Sequence, residues 1–151
     1  MKISIWYFKT FVPFFRAKQF IVVQYSDAIR LALIHKYGGW YSDLDMVFRK
    51  PINQYKNVLA CDEFSDKNSD KDNLGTFVSN AIFHFEKGHI FLEKCMEAFP
   101  KMFDGTWGSV GPKLLQTVLQ ELCGKRTNMD FISSQEFNPK SCNGIKVLHH
   151  K

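Results

Sequence analysis

The amino-terminal part of this 151-residue chain has no long apolar run, although it is rich in apolar residues. Lys9, Arg16 and Lys18 interrupt it, so no uncharged stretch before Asp27 approaches the ~20 residues that a membrane span needs. The same charges break the apolar region of any signal peptide, and no small-residue cleavage site follows them. No anchor or export signal is visible. The chain also lacks a basic block: its lysines are scattered and its net charge is only +5. That pattern excludes a nucleic-acid arm, and no nucleic-acid partner is expected. It is compatible with anionic substrates or a membrane surface. The four cysteines, at 61, 95, 123 and 142, lack the paired close spacing of a zinc site. There are no internal repeats and no interdomain linker. What remains is 45% hydrophobic and 15% aromatic content, which argues for one folded domain, or part of one, with a real core.

Along the chain, residues 27 to 37 read as a helix. Ser26 is a natural N-cap, Ile29, Ala32 and Leu33 form an apolar face, and Gly38 supplies a left-handed stop. Leu31 and Ile34 make the helix apolar nearly all round and predict its burial. Asp27 and Arg30 are the exceptions, three apart near the N-terminal tip, where they form either a local ion pair or part of a binding surface. Met46 to Phe48 should continue a strand ending near Pro51, and Asn57 to Cys61 should form a second. Residues 65 to 73 form a polar loop. Val78 to Phe85 predicts a third strand, with Asn80 and His84 on one side. Residues 90 to 99 carry apolar side chains at helical spacing. Gly111 and Pro112 open a last helix whose stripe is Leu114, Leu115, Val118, Leu119 and Leu122. A final short strand is expected at Ile145 to Leu148. Strands and helices alternate, so the class is α/β.

The most informative residues are Asp43-Leu44-Asp45, which follow the helix and the Gly38-Gly39 pair directly. In a strand-like segment residues two apart face the same way. Asp43 and Asp45 would then present paired carboxylates, with Leu44 packed behind. Such a pair suits a hard divalent cation that also holds phosphate oxygens. A bare Asp-x-Asp is weak on its own, and the chain contains a control: Asp70-Lys71-Asp72 has the same spacing within 65–73, where no apolar residue stands. That copy reads as solvated loop.

Other candidates carry less. Cys61 and Cys95 fall in apolar patterns and read as buried thiols. Cys123 and Cys142 flank a polar segment and are the disulfide candidates if the compartment is oxidising. His35 and His84 lie inside elements and read as structural. Nothing follows from His149 and His150. Trp107-Gly108-Ser109-Val110-Gly111-Pro112 is either a plain turn or a helix start whose backbone N–H groups hold an anion or hydroxyl. Asn80 either bonds a ligand or satisfies a neighbouring loop.

Taken together, Ser26-Asp27-x-x-Arg30, Tyr37-Gly38-Gly39-x-Tyr41-x-Asp43-x-Asp45, Val78-Ser79-Asn80-Ala81-Ile82, Phe85-Glu86-Lys87-Gly88-His89, Phe91-Leu92-x-x-Cys95-Met96 and Trp107-Gly108-x-x-Gly111-Pro112-x-Leu114-Leu115 resemble the α-1,4-glycosyltransferase family with an Asp-x-Asp sugar-binding region. The resemblance covers residues 20 to 150. It divides the chain into an unassigned segment 1–20, a sugar-binding region of about 21–75 and an α-1,4-glycosyltransferase region of about 76–151.

The resemblance implies a GT-A-like nucleotide-diphospho-sugar transferase fold, here incomplete at both ends. It further implies retaining transfer from a UDP-sugar to a glycosphingolipid acceptor, Mn²⁺ (or Mg²⁺) as cofactor, and a lumenal Golgi setting on a membrane anchor. Asp45 would hold the metal, and Asp43 the metal or the donor ribose. Asp27, Arg30 and Tyr41 would border the donor; Asn80, Gly111 and Pro112 would border the transferring sugar or the acceptor. Ala81 stands where the family commonly has glycine. The competing reading is a catalytically inactive truncated remnant, or a binding module of the same fold. A missing base-binding strand would leave apolar surface around Ile29, Leu33 and Val47 exposed.

The two Asp-x-Asp copies predict different outcomes. Asp45→Asn should weaken UDP-supported Mn²⁺ binding tenfold or more, about 1.4 kcal/mol, whereas Asp72→Asn should change nothing. Calorimetric titration checks this; equal effects at the two positions would refute the choice of site.

Overall fold

The computed structural model describes residues 22–64, 75–123 and 142–148. The expected segment 1–20, the polar loop 65–73 with its Asp70-Lys71-Asp72 copy, and His149 and His150 lie outside them. The elements are α1 (Val22–Tyr37), β1 (Gly39–Ser42), β2 (Val58–Phe64), β3 (Gly75–Phe85), α2 (Ile90–Met102), α3 (Pro112–Cys123) and β4 (Lys146–Leu148). The strands form one sheet in the order β1-β3-β2-β4. β1 and β2 both run antiparallel to β3, while β4 joins β2 in parallel. The class is mixed α/β, consistent with a GT-A-like fold.

α1 starts earlier than its sequence signals suggest. Ser26 lies inside the helix rather than capping it, because its hydroxyl is taken up by Arg30 one turn on and has no need of a terminal N–H. The helix does not bury the face expected from Ile29, Ala32 and Leu33, whereas the apolar surface expected to be left open around Ile29, Leu33 and Val47 is indeed exposed. Ile29 and Leu33 are 43% and 48% exposed, whereas Ala28, Leu31 and Ile34 are buried together with Asp27, Arg30 and His35. Burial follows the polar partners on β1 and β3, and hydropathy alone could not reveal them. Val47 is exposed as well. The stop at Gly38 holds: its N–H reaches the Ile34 carbonyl, φ is +72°, and an added Cβ would stand 2.8 Å from the Lys87 backbone nitrogen.

Asn57 ties the far side of the sheet together. At φ +51° it donates its N–H to His84 Nδ1, accepts from Glu86 N through its side chain, and accepts from Lys146 N through its carbonyl. His84 is thereby structural. α2 begins at His89, whose Nδ1 accepts the Phe91 N–H as a cap while Nε2 meets the Asn143 carbonyl. The core is a single cluster. Phe83 and Phe85 of β3, Leu31 of α1, Phe91 and Phe99 of α2, and Leu115 of α3 are all buried in it. Each large side chain so removed from water contributes about 1.5–3 kcal/mol. Cys61 and Cys95 are buried and lie outside the one disulfide among the described residues, which joins Cys123 to Cys142.

That bond fixes the end of α3 to the turn before β4. Under the chain-entropy account, a closed loop of 19 residues stabilises by about 3 kcal/mol. Cys142→Ser should lower the unfolding free energy by that order, and reductant should do the same to the natural chain while leaving the variant unchanged. Denaturant titration with and without reductant reads both.

Candidate active site

Arg30 organises the polar cluster. It is buried, and Nη1 donates to the Asn80 carbonyl at 2.7 Å and lies 3.3 Å from Asp43 Oδ1. Nη2 donates to Ser26 Oγ at 2.9 Å, and Nε lies 3.5 Å from Asp27 Oδ1. The guanidinium also stacks 4.4 Å from the centre of the Tyr41 ring, which presents its negative face to the cation. A buried charge is tolerated only when it is paired and hydrogen-bonded. Here the partners come from α1, β1 and β3, so the ion fixes three elements at once.

Asp43 is held from several directions. Its N–H donates to the Ala81 carbonyl at 2.8 Å, and its Oδ1 accepts from Tyr41 Oη besides facing Arg30. Oδ2 has no partner among the described residues. Burial and that bond to Asp43 push the Tyr41 phenol upward, so it stays protonated and donating. The Asp-x-Asp segment itself is not a strand. β1 ends at Ser42, and the Met46 N–H returns to the Asp43 carbonyl at 3.4 Å, so residues 43–46 form a turn. Leu44 is wholly exposed rather than packed behind the carboxylates, and Asp45 is exposed beside it. Neither does a strand continue through Met46 to Phe48, because no neighbouring strand pairs there.

Asn80 is the hub on the other side. β3 loses register against β2 between Leu59 and Ala60: Leu59 faces Phe83, but Ala60 faces Ser79. Residues 80–82 therefore bulge out of that ladder, which leaves the Asn80 carbonyl to accept from Arg30, while the Ala81 carbonyl accepts from Asp43 in continuation of the β1 register. The Asn80 amide donates to Asp27 Oδ1 at 2.8 Å. Burial raises the Asp27 carboxyl to about 6, against the downward pull of Arg30 and of that hydrogen bond. Gly111 closes over the pair. A Cβ there would stand 2.5 Å from Asn80 Nδ2 and 3.1 Å from Asp27 Oδ2, so any side chain would push the Asn80 amide off its bond to Asp27. Pro112 opens α3 behind it.

The structure thus gathers Asp27, Arg30, Tyr41, Asp43, Asn80 and Gly111 into one cluster; among the described residues no hydrogen bond or ion pair joins Asp45 to them. Sequence reading missed Ser26 as an Arg30 partner and missed the bulge. Arg30-x3-Ser26 spacing, one helical turn, was the available signal for the first. No group of three or more His, Cys, Asp or Glu side chains converges among the described residues. A divalent cation held by Asp43 and Asp45 would therefore take its remaining oxygens from a ligand, as hard cations bound with phosphates do.

Two family descriptions match this chain. "Glycosyltransferase sugar-binding region containing DXD motif" matches residues 2–65, and "Alpha 1,4-glycosyltransferase conserved region" matches residues 84–151. The chain belongs to the α-1,4-glycosyltransferase family. Human alpha-1,4-N-acetylglucosaminyltransferase is 37% identical over 125 residues, which are 82% of this chain and 32% of the relative. Human lactosylceramide 4-alpha-galactosyltransferase is 30% identical over 135 residues, 88% of this chain and 33% of the relative. The mouse enzyme of that name is 32% identical over 125 residues, 82% and 29%. The chain spans about a third of the length of these curated relatives. No solved structure matches it.

The close approach of Gly111 yields a test. Gly111→Ala should lower the unfolding free energy by about 1–3 kcal/mol through overpacking against Asn80. In an Asn80→Ala background the same change should cost at least about 1 kcal/mol less, since contacting sites are non-additive. Equal costs in both backgrounds would refute the clash.

Proposed function

We propose that the protein transfers a hexose or N-acetylhexosamine from a UDP-sugar to a glycosphingolipid acceptor, forming an α-1,4 linkage with retention. The observation that carries this reading is the Arg30 cluster. It holds Asp43, at the head of the Asp-x-Asp turn, beside the Asn80–Gly111 contact, in a chain whose relatives are named as α-1,4-linkage sugar transferases. Asp43 and Asp45 are the residues that would hold Mn²⁺ or Mg²⁺. When bound, that ion neutralises charge on the departing diphosphate.

The chain's own residues do the rest. Arg30 uses its donors on Asn80, Ser26 and Asp43, so it positions the site rather than gripping the sugar itself. Tyr41 fixes one oxygen of Asp43 and leaves the other for the donor side. Asp27, held by Asn80, and the Gly111-Pro112 turn border the sugar. The overall exchange replaces the bond from the anomeric carbon to a UDP phosphate oxygen with one to an acceptor hydroxyl.

A lumenal Golgi setting accords with the Cys123–Cys142 bond, because disulfides persist in oxidising compartments. Among the described residues no helix is long and apolar enough to cross a membrane, so the anchor remains part of the proposal. The second reading is a non-catalytic binding module of the same fold.

Release of UDP from UDP-galactose and UDP-N-acetylglucosamine, with and without lactosylceramide, distinguishes the two. The expected result is Mn²⁺-dependent release that a chelator abolishes and that Asp43→Asn reduces about 100-fold or more, roughly 2.7 kcal/mol. Release that persists without any divalent ion would overturn the metal-assisted mechanism, and no release by this chain, with release by a longer version of it, would support the non-catalytic reading.

A further inference from the structure

Trp107 is a large aromatic side chain that the fold holds out of its core on an ordered turn, as it holds Tyr37 out at the end of α1. Its indole is 72% exposed, although Ser109 and Val110 two and three positions on are buried. The segment carrying it is tied down on both sides. Thr106 donates both its N–H and its hydroxyl to Asp104 Oδ1, at 2.8 and 2.6 Å. The Ser109 hydroxyl donates to the Thr106 carbonyl at 3.0 Å, and the Gly108 carbonyl accepts from both Gly111 N and Lys113 N. Exposure of this ring is therefore a property of an ordered turn.

Its place in the molecule gives that exposure a use. Gly111, four residues on, lies directly against the side chains of Asn80 and Asp27. Four residues span at most about 14 Å when extended, and the turn contacts around Gly108 shorten that reach. Asn80 separates two sides of the site: its carbonyl meets Arg30 and, through it, Asp43, while its amide meets Asp27 and the Gly111 turn. The turn that carries Trp107 leads directly into Gly111 and so adjoins the second side.

We propose that Trp107 is the stacking platform for the acceptor sugar, and so a determinant of acceptor specificity; this rests on the glycosyltransferase reading above. A pyranose ring has one face of C–H groups, which packs against the electron-rich face of an indole, and a platform that is already ordered loses little entropy when the sugar docks.

The test uses the full chain, with free lactose as acceptor probe followed by NMR titration and Mn²⁺–UDP binding followed by calorimetry. Trp107→Ala should weaken lactose binding tenfold or more, and Trp107→Phe, which keeps an aromatic face, should retain most of it. Mn²⁺–UDP affinity should be unchanged in both variants, which also reports that they are folded. Unchanged lactose affinity in Trp107→Ala would overturn the proposal. So would a parallel fall in UDP and lactose binding, or a natural chain that does not bind lactose at roughly 10 mM. If lactose binding depends on Trp107 while no variant binds UDP, the platform stands and the donor reading falls.

Discussion

The buried guanidinium of Arg30 is the interaction on which the rest of this structure depends. An ion taken from water costs several kcal/mol unless its attraction to partners and its hydrogen bonds offset that. Arg30 meets the condition with an aspartate one helical turn away, a second aspartate on the next segment, a serine hydroxyl, a strand carbonyl and a tyrosine ring. Those partners belong to α1, the end of β1 and the middle of β3. The ion therefore sets how the helix is rotated on the sheet, and it does so with the same atoms that present Asp43.

Two backbone features make this arrangement sterically possible. The bulge at residues 80–82 of β3 leaves the Asn80 carbonyl to the helix, while Ala81 extends the β1 register to the Asp-x-Asp turn. Gly111 then brings the start of α3 so close to the Asn80 amide that a side chain there would have to displace it. Removing either feature would leave polar groups buried without partners, which costs more than the hydrogen bonds themselves contribute. The site is thus built where sheet regularity fails, and the hydrophobic cluster around Phe83, Phe85 and Phe91 supplies the rigidity behind it.

The exposed side of α1 has a different origin. Ile29 and Leu33 lie outward because the helix commits its opposite face to Arg30, Asp27 and the apolar residues Ala28 and Leu31. The same rotation accounts for a helix that reads as apolar nearly all round and yet is half exposed.

Much of this was legible in the residues alone. The apolar stripe at Leu114, Leu115, Val118 and Leu119, the proline that opens α3, and the runs at 58 and 78 all specify local structure through spacing, which is a property of the chain. Asp27, Arg30, Tyr41, Asp43, Asn80 and Gly111 were named together through the family resemblance, because taken singly a local ion pair, a loop contact or a plain turn accounts for them as well. Rotation and register were not legible. Ser26 reads as a cap until Arg30 is seen to occupy its hydroxyl, and Asp43 and Asp45 read as alternating strand residues until the Met46 N–H closes a turn on the Asp43 carbonyl. A bulge leaves no mark in residue spacing, since it depends on which strand lies beside β3 and where their pairing slips. Periodicity reports what each segment does by itself; only tertiary contact decides which face a helix buries and which carbonyl an arginine finds.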